Sequence, residues 1–154
     1  MELAYINSFT RAAHSVLSSL EITCSKGQIE ILSSTKPFKG VAILLGILGD
    51  RRGKIIIDME NATGFHLAGK FNDEHVSEIS ELFISTLKEF GNIVCGNAMI
   101  SLEQNGINCD ITTPTIILGE ELRIAETGDN EIIMIPFITE MGRIEINVIQ
   151  ESKV

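Results

Sequence analysis

Apolar residues in the first segment recur at steps of three and four: Tyr5, Phe9, Ala12, Val16 and Leu20. That spacing makes one apolar face on a helix, expected over residues 3–20. Short apolar runs follow at 21–24, 28–33, 40–48 and 53–59, which read as strands. Gly49-Asp50-Arg51-Arg52-Gly53 is turn chemistry between the last two, so they form a hairpin. A short helix is expected at 60–69. Asn72 or Asp73 can then cap a long helix reaching about Glu103. In it Val76, Ile79, Phe83, Leu87, Phe90, Val94 and Ala98 make a sustained stripe near 3.6 residues per turn, which must face a core. Asn105-Gly106 tolerates the positive φ that ends a helix. Strands are expected near 107–111, 115–124, 130–138 and 142–149, with a turn through Thr139-Glu140-Met141-Gly142 joining the last pair.

The order helix, strands, hairpin thus occurs twice. At an offset of 85, Asn7 meets Asn92, Ala13 meets Ala98, Leu17 meets Leu102, Ile22 meets Ile107 and Cys24 meets Cys109. After a four-residue change, Gly53-Lys54-Ile55 meets Gly142-Arg143-Ile144, and Ile57 meets Ile146. Such a duplication predicts an α+β fold: a two-layer α/β sandwich, its antiparallel-rich sheet carrying two long helices on one face, with an internal pseudo-twofold repeat. Pro136 lies inside the apolar run from Ile132 to Ile138 and points to an edge strand, because proline cannot donate to a ladder. No linker divides the chain, so residues 1–154 read as a single domain.

Composition narrows function more than fold. A net charge of −9 argues against nucleic-acid binding, which needs a basic face. It equally disfavours docking on anionic membranes. The longest apolar run, Val41 to Leu48, is too short to span a bilayer. Residues 1–8 lack the basic-then-apolar pattern of a secretory signal, and a cytoplasmic protein is expected. Cys24, Cys95 and Cys109 are odd in number and unpaired in spacing, so they make no disulfide framework. Small buried hydrophobes is their plainest reading. His14, His66 and His75 show no metal-ligand spacing, and no cofactor of the chain's own is expected. Gly46-x-x-Gly49 lacks the Lys-Ser/Thr of a phosphate loop, and there is no nucleophile elbow. A self-contained enzyme for small molecules therefore ranks last.

A second stripe on the long helix runs Ser85, Glu89, Asn92, Gly96. Asn92 lies about 160° around the helix from Phe90 at 100° per residue. Glu89 and Asn92 project together, away from the core, as surface neighbours three residues apart. On periodicity alone this is an ordinary solvated face. Gly91 and Gly96, however, each cost about 1 kcal/mol relative to Ala inside a helix, a cost that usually has a packing or access reason. Glycines beside Asn92 would leave its amide uncovered for a partner backbone to approach.

Glu89-Phe90-Gly91-Asn92 fits the Glu-x-x-Asn signature of the CheC/CheX/FliY phosphatases, and the chain resembles that family. Ser85 fits the small or acidic position four residues earlier, and Pro114 the proline after the helix. Gly96-Asn97-Ala98 and Thr113-Pro114-Thr115-Ile116-Ile117 are similar to CheX-type members, and the likeness extends over about residues 5 to 149. Asn92 and Pro114 stand slightly closer together than the family pattern, a loop difference. The resemblance implies an enzyme that hydrolyses the aspartyl phosphate of a CheY-like response regulator in chemotaxis or two-component signalling. Asn92 would position the attacking water and Glu89 would pair with the receiver's lysine, with Ser85, Gly96 and Pro114 as binding positions. It also implies Mg2+ in the partner receiver and a homodimer. CheC-type members can carry two sites; here Asn7 matches Asn92 but Ala4 stands where Glu89 would be, so one working site is expected. The main alternative is a non-catalytic docking module that binds a receiver or motor component, which retention of both Glu89 and Asn92 disfavours.

Overall fold

The computed structural model describes residues 1–126 and 129–151. Its sheet is built on two hairpins of apolar strands. β3 (Val41–Gly49) pairs with β4 (Gly53–Met59), and β7 (Glu131–Thr139) pairs with β8 (Gly142–Gln150). β4 and β8 join the hairpins at the centre of the sheet. Two short strands, β1 (Cys24–Lys26) and β2 (Glu30–Leu32), lie in line along β7. Two more, β5 (Cys109–Ile111) and β6 (Thr115–Leu118), lie in line along β3. All these pairings are antiparallel. Each half of the chain therefore lends its short strands to the long hairpin of the other half. The repeat-matched residues Ile57 and Ile146 face each other in the central ladder. A residue pairs with its own repeat equivalent only on the axis relating the halves, so the pseudo-twofold passes between them.

Alternation along the strands sorts side chains to two faces. Ile43, Leu45, Ile55, Ile57, Ile135, Phe137, Ile146 and Val148 point to one face and are buried under three helices: α1 (Leu3–Ser19), α2 (Asn61–Asn72) and α3 (Glu81–Gln104). Phe9, Val16, Leu17, Phe83, Leu87, Phe90, Val94 and Leu102 fill the helix side of that core. Burying each such side chain is worth roughly 1.5–3 kcal/mol, which is why the apolar stripe sets the rotation of α3.

The opposite face holds a smaller cluster of Phe38, Ala42, Ile56, Ile132 and Ile149, with Leu44, Ile117 and Ile124 packed against it. Asp58 and Glu145 sit opposite each other there, both buried. Lys39 Nζ lies 2.5 Å from Glu145 Oε1 and 3.8 Å from Asp58 Oδ2, while Arg143 Nε donates to Glu145 Oε2 at 2.7 Å. Burial pushes the Asp58 carboxyl up to about 6, against the pull of Lys39. Burial acts the same way on Glu145, but its bonds to Lys39 and Arg143 outweigh it and hold that carboxyl below its ordinary value. Two cations thus serve Glu145 first, which lets a carboxylate pair stand under the loop that carries Lys39.

Four expectations need correction. The long helix does not start at Asn72 or Asp73. Asn72 ends α2, its Nδ2 donating to Ala68 O at 2.9 Å and Thr86 Oγ1 at 2.8 Å, and Asp73 adopts a left-handed φ of 52°. Ser80 is the cap of α3, its Oγ accepting from the Phe83 N–H at 3.2 Å. Val76 and Ile79 thus precede the helix. Pro136 is not on an edge, since β7 lies between β8 and β1/β2. In a strand the N and O of one residue point the same way. Gly27 N donates to Pro136 O at 2.9 Å, so the missing donor faces the break between β1 and β2, where no ladder bond is needed. The strand expected over 115–124 ends at Leu118, because Gly119 turns away at φ +142°. The first strand begins at Cys24, since residues 20–22 close the end of α1, with Ile22 N–H donating to Leu17 O.

Candidate active site

Phe83, Leu87, Phe90, Val94 and Ala98 of α3 are buried, and the helix turns Ser85, Glu89 and Asn92 to solvent. The geometry inferred from periodicity therefore holds. Among the described residues, neither the Glu89 carboxylate nor the Asn92 amide engages a hydrogen-bond or ion-pair partner. Both are available to a partner molecule. Ser85 Oγ already donates to Leu82 O at 3.1 Å, so its hydroxyl is partly committed to its own helix.

The two glycines differ. Around Gly96 an added Cβ would meet nothing within 4 Å, so its absence leaves the surface beside Asn92 open. Gly91 is buried, and a Cβ there would stand 2.7 Å from Ile43 Cγ2 and 3.4 Å from Leu45 Cδ1. Contrary to the expectation from the sequence, Gly91 does not uncover Asn92; it lets α3 sit directly on β3. Ile43 and Leu45 are thus the seat of the site. Only their place in an apolar strand was visible beforehand. Gly91→Ala is expected to overpack this contact and cost about 1–3 kcal/mol. That corresponds to a fall in Tm of roughly 2–12 °C at this chain length, measurable by thermal unfolding. An unchanged Tm would show that β3 yields freely.

Pro114 joins β5 to β6 along the outer side of β3. Ile116, two residues on, pairs with Ile43, the residue on which Gly91 rests. The proline segment thereby shares the seat of α3, and the structure gives it no bond to Glu89 or Asn92. On the first helix, Asn7 is half-buried and Ala4 is the second residue of α1. Glu89 instead follows two turns of helix, Glu81 to Lys88. α1 packs beside α3, with Ser8 Oγ 3.0 Å from Ser101 Oγ.

Cys95 is buried and its thiol is pushed up to about 12 by burial, the behaviour of an inert core residue. Cys24 and Cys109 are free and only half-buried, less enclosed than expected. Cys109 Sγ accepts from Arg51 N–H at 3.3 Å. Among the described residues, no group of three His, Cys, Asp or Glu side chains could hold a metal ion, and no helix is long and apolar enough to cross a membrane.

The family model described as chemotaxis phosphatase CheX matches residues 41–138. The chain belongs to the CheX family. The match contains all of α3, so this CheX-family phosphatase carries Glu89 and Asn92 within the part that defines its membership. It is 24% identical over 130 residues to the CheY-P phosphatase CheX of Thermotoga maritima, covering 83% of this chain and 84% of that one. It is similar at 33% identity and a TM-score of 0.83 to the structure of a CheX–CheY–BeF3–Mg2+ complex from Borrelia burgdorferi, covering 96% of this chain and 98% of that one. The chemotaxis protein CheX of Desulfovibrio desulfuricans shares its fold at a TM-score of 0.86 and 23% identity, covering 96% and 99% of the two chains.

Proposed function

We propose that this protein hydrolyses the aspartyl phosphate of a CheY-like receiver, with Asn92 holding the attacking water and Glu89 pairing with the receiver's lysine. The observation that carries this reading is the placement of both side chains on the exposed face of one helix, without a partner among the described residues. The Borrelia relative was crystallised with CheY, Mg2+ and BeF3, a mimic of the phosphoryl group, which supports a receiver as the partner and a Mg2+ in the receiver.

An aspartyl phosphate is a mixed anhydride, already reactive. Its loose transition state gains mainly from positioning and charge balance, and needs little base strength. Water attacks phosphorus as the bond to the aspartyl oxygen breaks; the carboxylate leaves and the water protons pass to phosphate or solvent. An amide suits the positioning task because it donates and accepts hydrogen bonds without titrating. Glu89 supplies a charge-assisted bond that seats α3 in the receiver's cleft. Ser85, Gly96 and Pro114 are proposed as surrounding contact positions. The test is phosphate loss from a phosphorylated receiver, which the protein should accelerate; an unchanged rate contradicts the reading.

The same reading gives one site per chain, on α3. Asn7→Ala should leave turnover nearly unchanged, and titration with a beryllofluoride-loaded receiver should saturate at one receiver per chain. A stoichiometry of two would make the first half a working site. The resemblance further supports a homodimer acting in the cytoplasm. With β7 internal, the strands left on the outside of the sheet are β1/β2 and β5/β6, and pairing such edges about a twofold is one way to cover them. Sedimentation at micromolar concentration should show a dimer, and a monomer would contradict it.

A further inference from the structure

Three large apolar side chains stand exposed around the polar site. Leu82 is 38% exposed, Ile100 57% and Leu48 45%. At 100° per residue, Leu82 and Ile100 both fall about 20° from Glu89 around the axis of α3. They lie on the same line as the carboxylate, one toward each end of the helix. Leu48 and Ile100 line an open cavity of about 590 Å3 together with Met99, Glu103, Asn108 and Asp110. The stripe thus reads apolar, polar, apolar, with carboxylates beside its far end.

We infer that Leu82 and Ile100 are apolar anchors for the phosphorylated receiver, with the Leu48–Ile100 cavity receiving an apolar side chain next to a basic group of that partner. The inference rests on the phosphatase reading above and adds the determinants of receiver binding. A specific interface buries about 800 Å2 on each partner, a disc roughly 16 Å in radius. Leu82 is ten residues from Asn92 and Ile100 is eight, so they lie about 15 and 12 Å away along the axis. A footprint centred on the reacting phosphorus therefore reaches both. Glu89 makes one ion pair, and a single desolvated pair roughly breaks even against its desolvation, so it does not by itself hold a complex. The holding energy of an interface comes from a few buried apolar or aromatic anchors, and Leu82 and Ile100 are exposed large apolar side chains in line with Glu89. Glu89, Glu103 and Asp110 favour a partner surface that is basic there, which fits a receiver presenting its lysine.

The experiment compares Leu82→Ser, Ile100→Ser and, as a control on the far side of the sheet, Leu122→Ser, each in the full chain. Circular dichroism first verifies the fold. With a phosphorylated receiver as substrate, Leu82→Ser and Ile100→Ser should each raise KM about 10-fold and leave kcat within about twofold, the pattern of lost uniform binding. Leu122→Ser should change neither. Affinity for a beryllofluoride-loaded receiver should fall by the same factor, a readout that needs no turnover. If the parent protein dephosphorylates the receiver and both variants keep its KM, the anchors are wrong and the site stands. If the parent protein binds the loaded receiver without turning it over, and the variants bind more weakly, the anchors stand and the phosphatase reading falls. A parent protein that does neither overturns both. A change in sedimentation with receiver affinity intact would assign the apolar residues to a second copy of this chain and overturn the proposal.

Discussion

Asn92→Ala should lower the catalysed rate about 100-fold or more while leaving the fold intact, the scale of losing one well-placed catalytic group. The side chain projects from α3 into solvent with no partner among the described residues, so its removal opens no cavity and strands no buried group. The effect should fall on kcat, because a water held in line matters in the transition state and adds little to binding of the phosphorylated receiver. Thermal unfolding should give the parent Tm, and affinity for a beryllofluoride-loaded receiver should stay within a few-fold. The discriminating measurement is single-turnover phosphate loss at saturating enzyme. Undiminished turnover would remove Asn92 from the chemistry, and equal losses in affinity and turnover would make it a docking residue.

Glu89→Lys should be the most damaging change to binding. It replaces the proposed partner of the receiver's lysine with a second cation. Like charges brought together in an interface cost several kcal/mol, and each 1.4 kcal/mol is about tenfold in affinity. A loss of two orders of magnitude or more is expected in receiver affinity, and turnover at fixed substrate should fall with it. The substitution also shifts the net charge of −9 by two toward zero. A second variant separates the local from the global effect. Lys88 is also exposed, but lies about 100° around the helix. Adding Lys88→Glu to Glu89→Lys restores the net charge without restoring the pair, and the double variant should stay defective. Recovery in the double variant would mean that long-range charge explains the loss, and unchanged affinity in Glu89→Lys would take Glu89 out of the interface.

The direction of the side chains on α3 from Phe83 onward was legible in the sequence, although the periodic stripe runs back to Val76 and Ile79, which precede the helix. The stripe of Phe83, Leu87, Phe90, Val94 and Ala98 has only one way to be buried, so it set which side of α3 carries Glu89 and Asn92. The repeat likewise matched Ile57 with Ile146 once its offset of 85 takes the four-residue change, and the structure brings the two together in the central ladder. What lies across from an element was not legible, because that depends on pairings between distant segments. Asn72 and Asp73 can cap a helix start as well as close a helix end. The tie from Asn72 to Thr86 and the left-handed Asp73 chose closure, leaving Ser80 to begin α3. Pro136 reads as an edge residue until the break between β1 and β2 is seen to fall beside it. Gly91 and Gly96 look alike in a helical sequence. Only the packing of α3 on β3 separates the glycine that admits Ile43 from the one that faces open space. Local periodicity is a property of neighbouring residues and survives in the sequence, whereas what a side chain meets is set by contacts that form only when the sheet assembles.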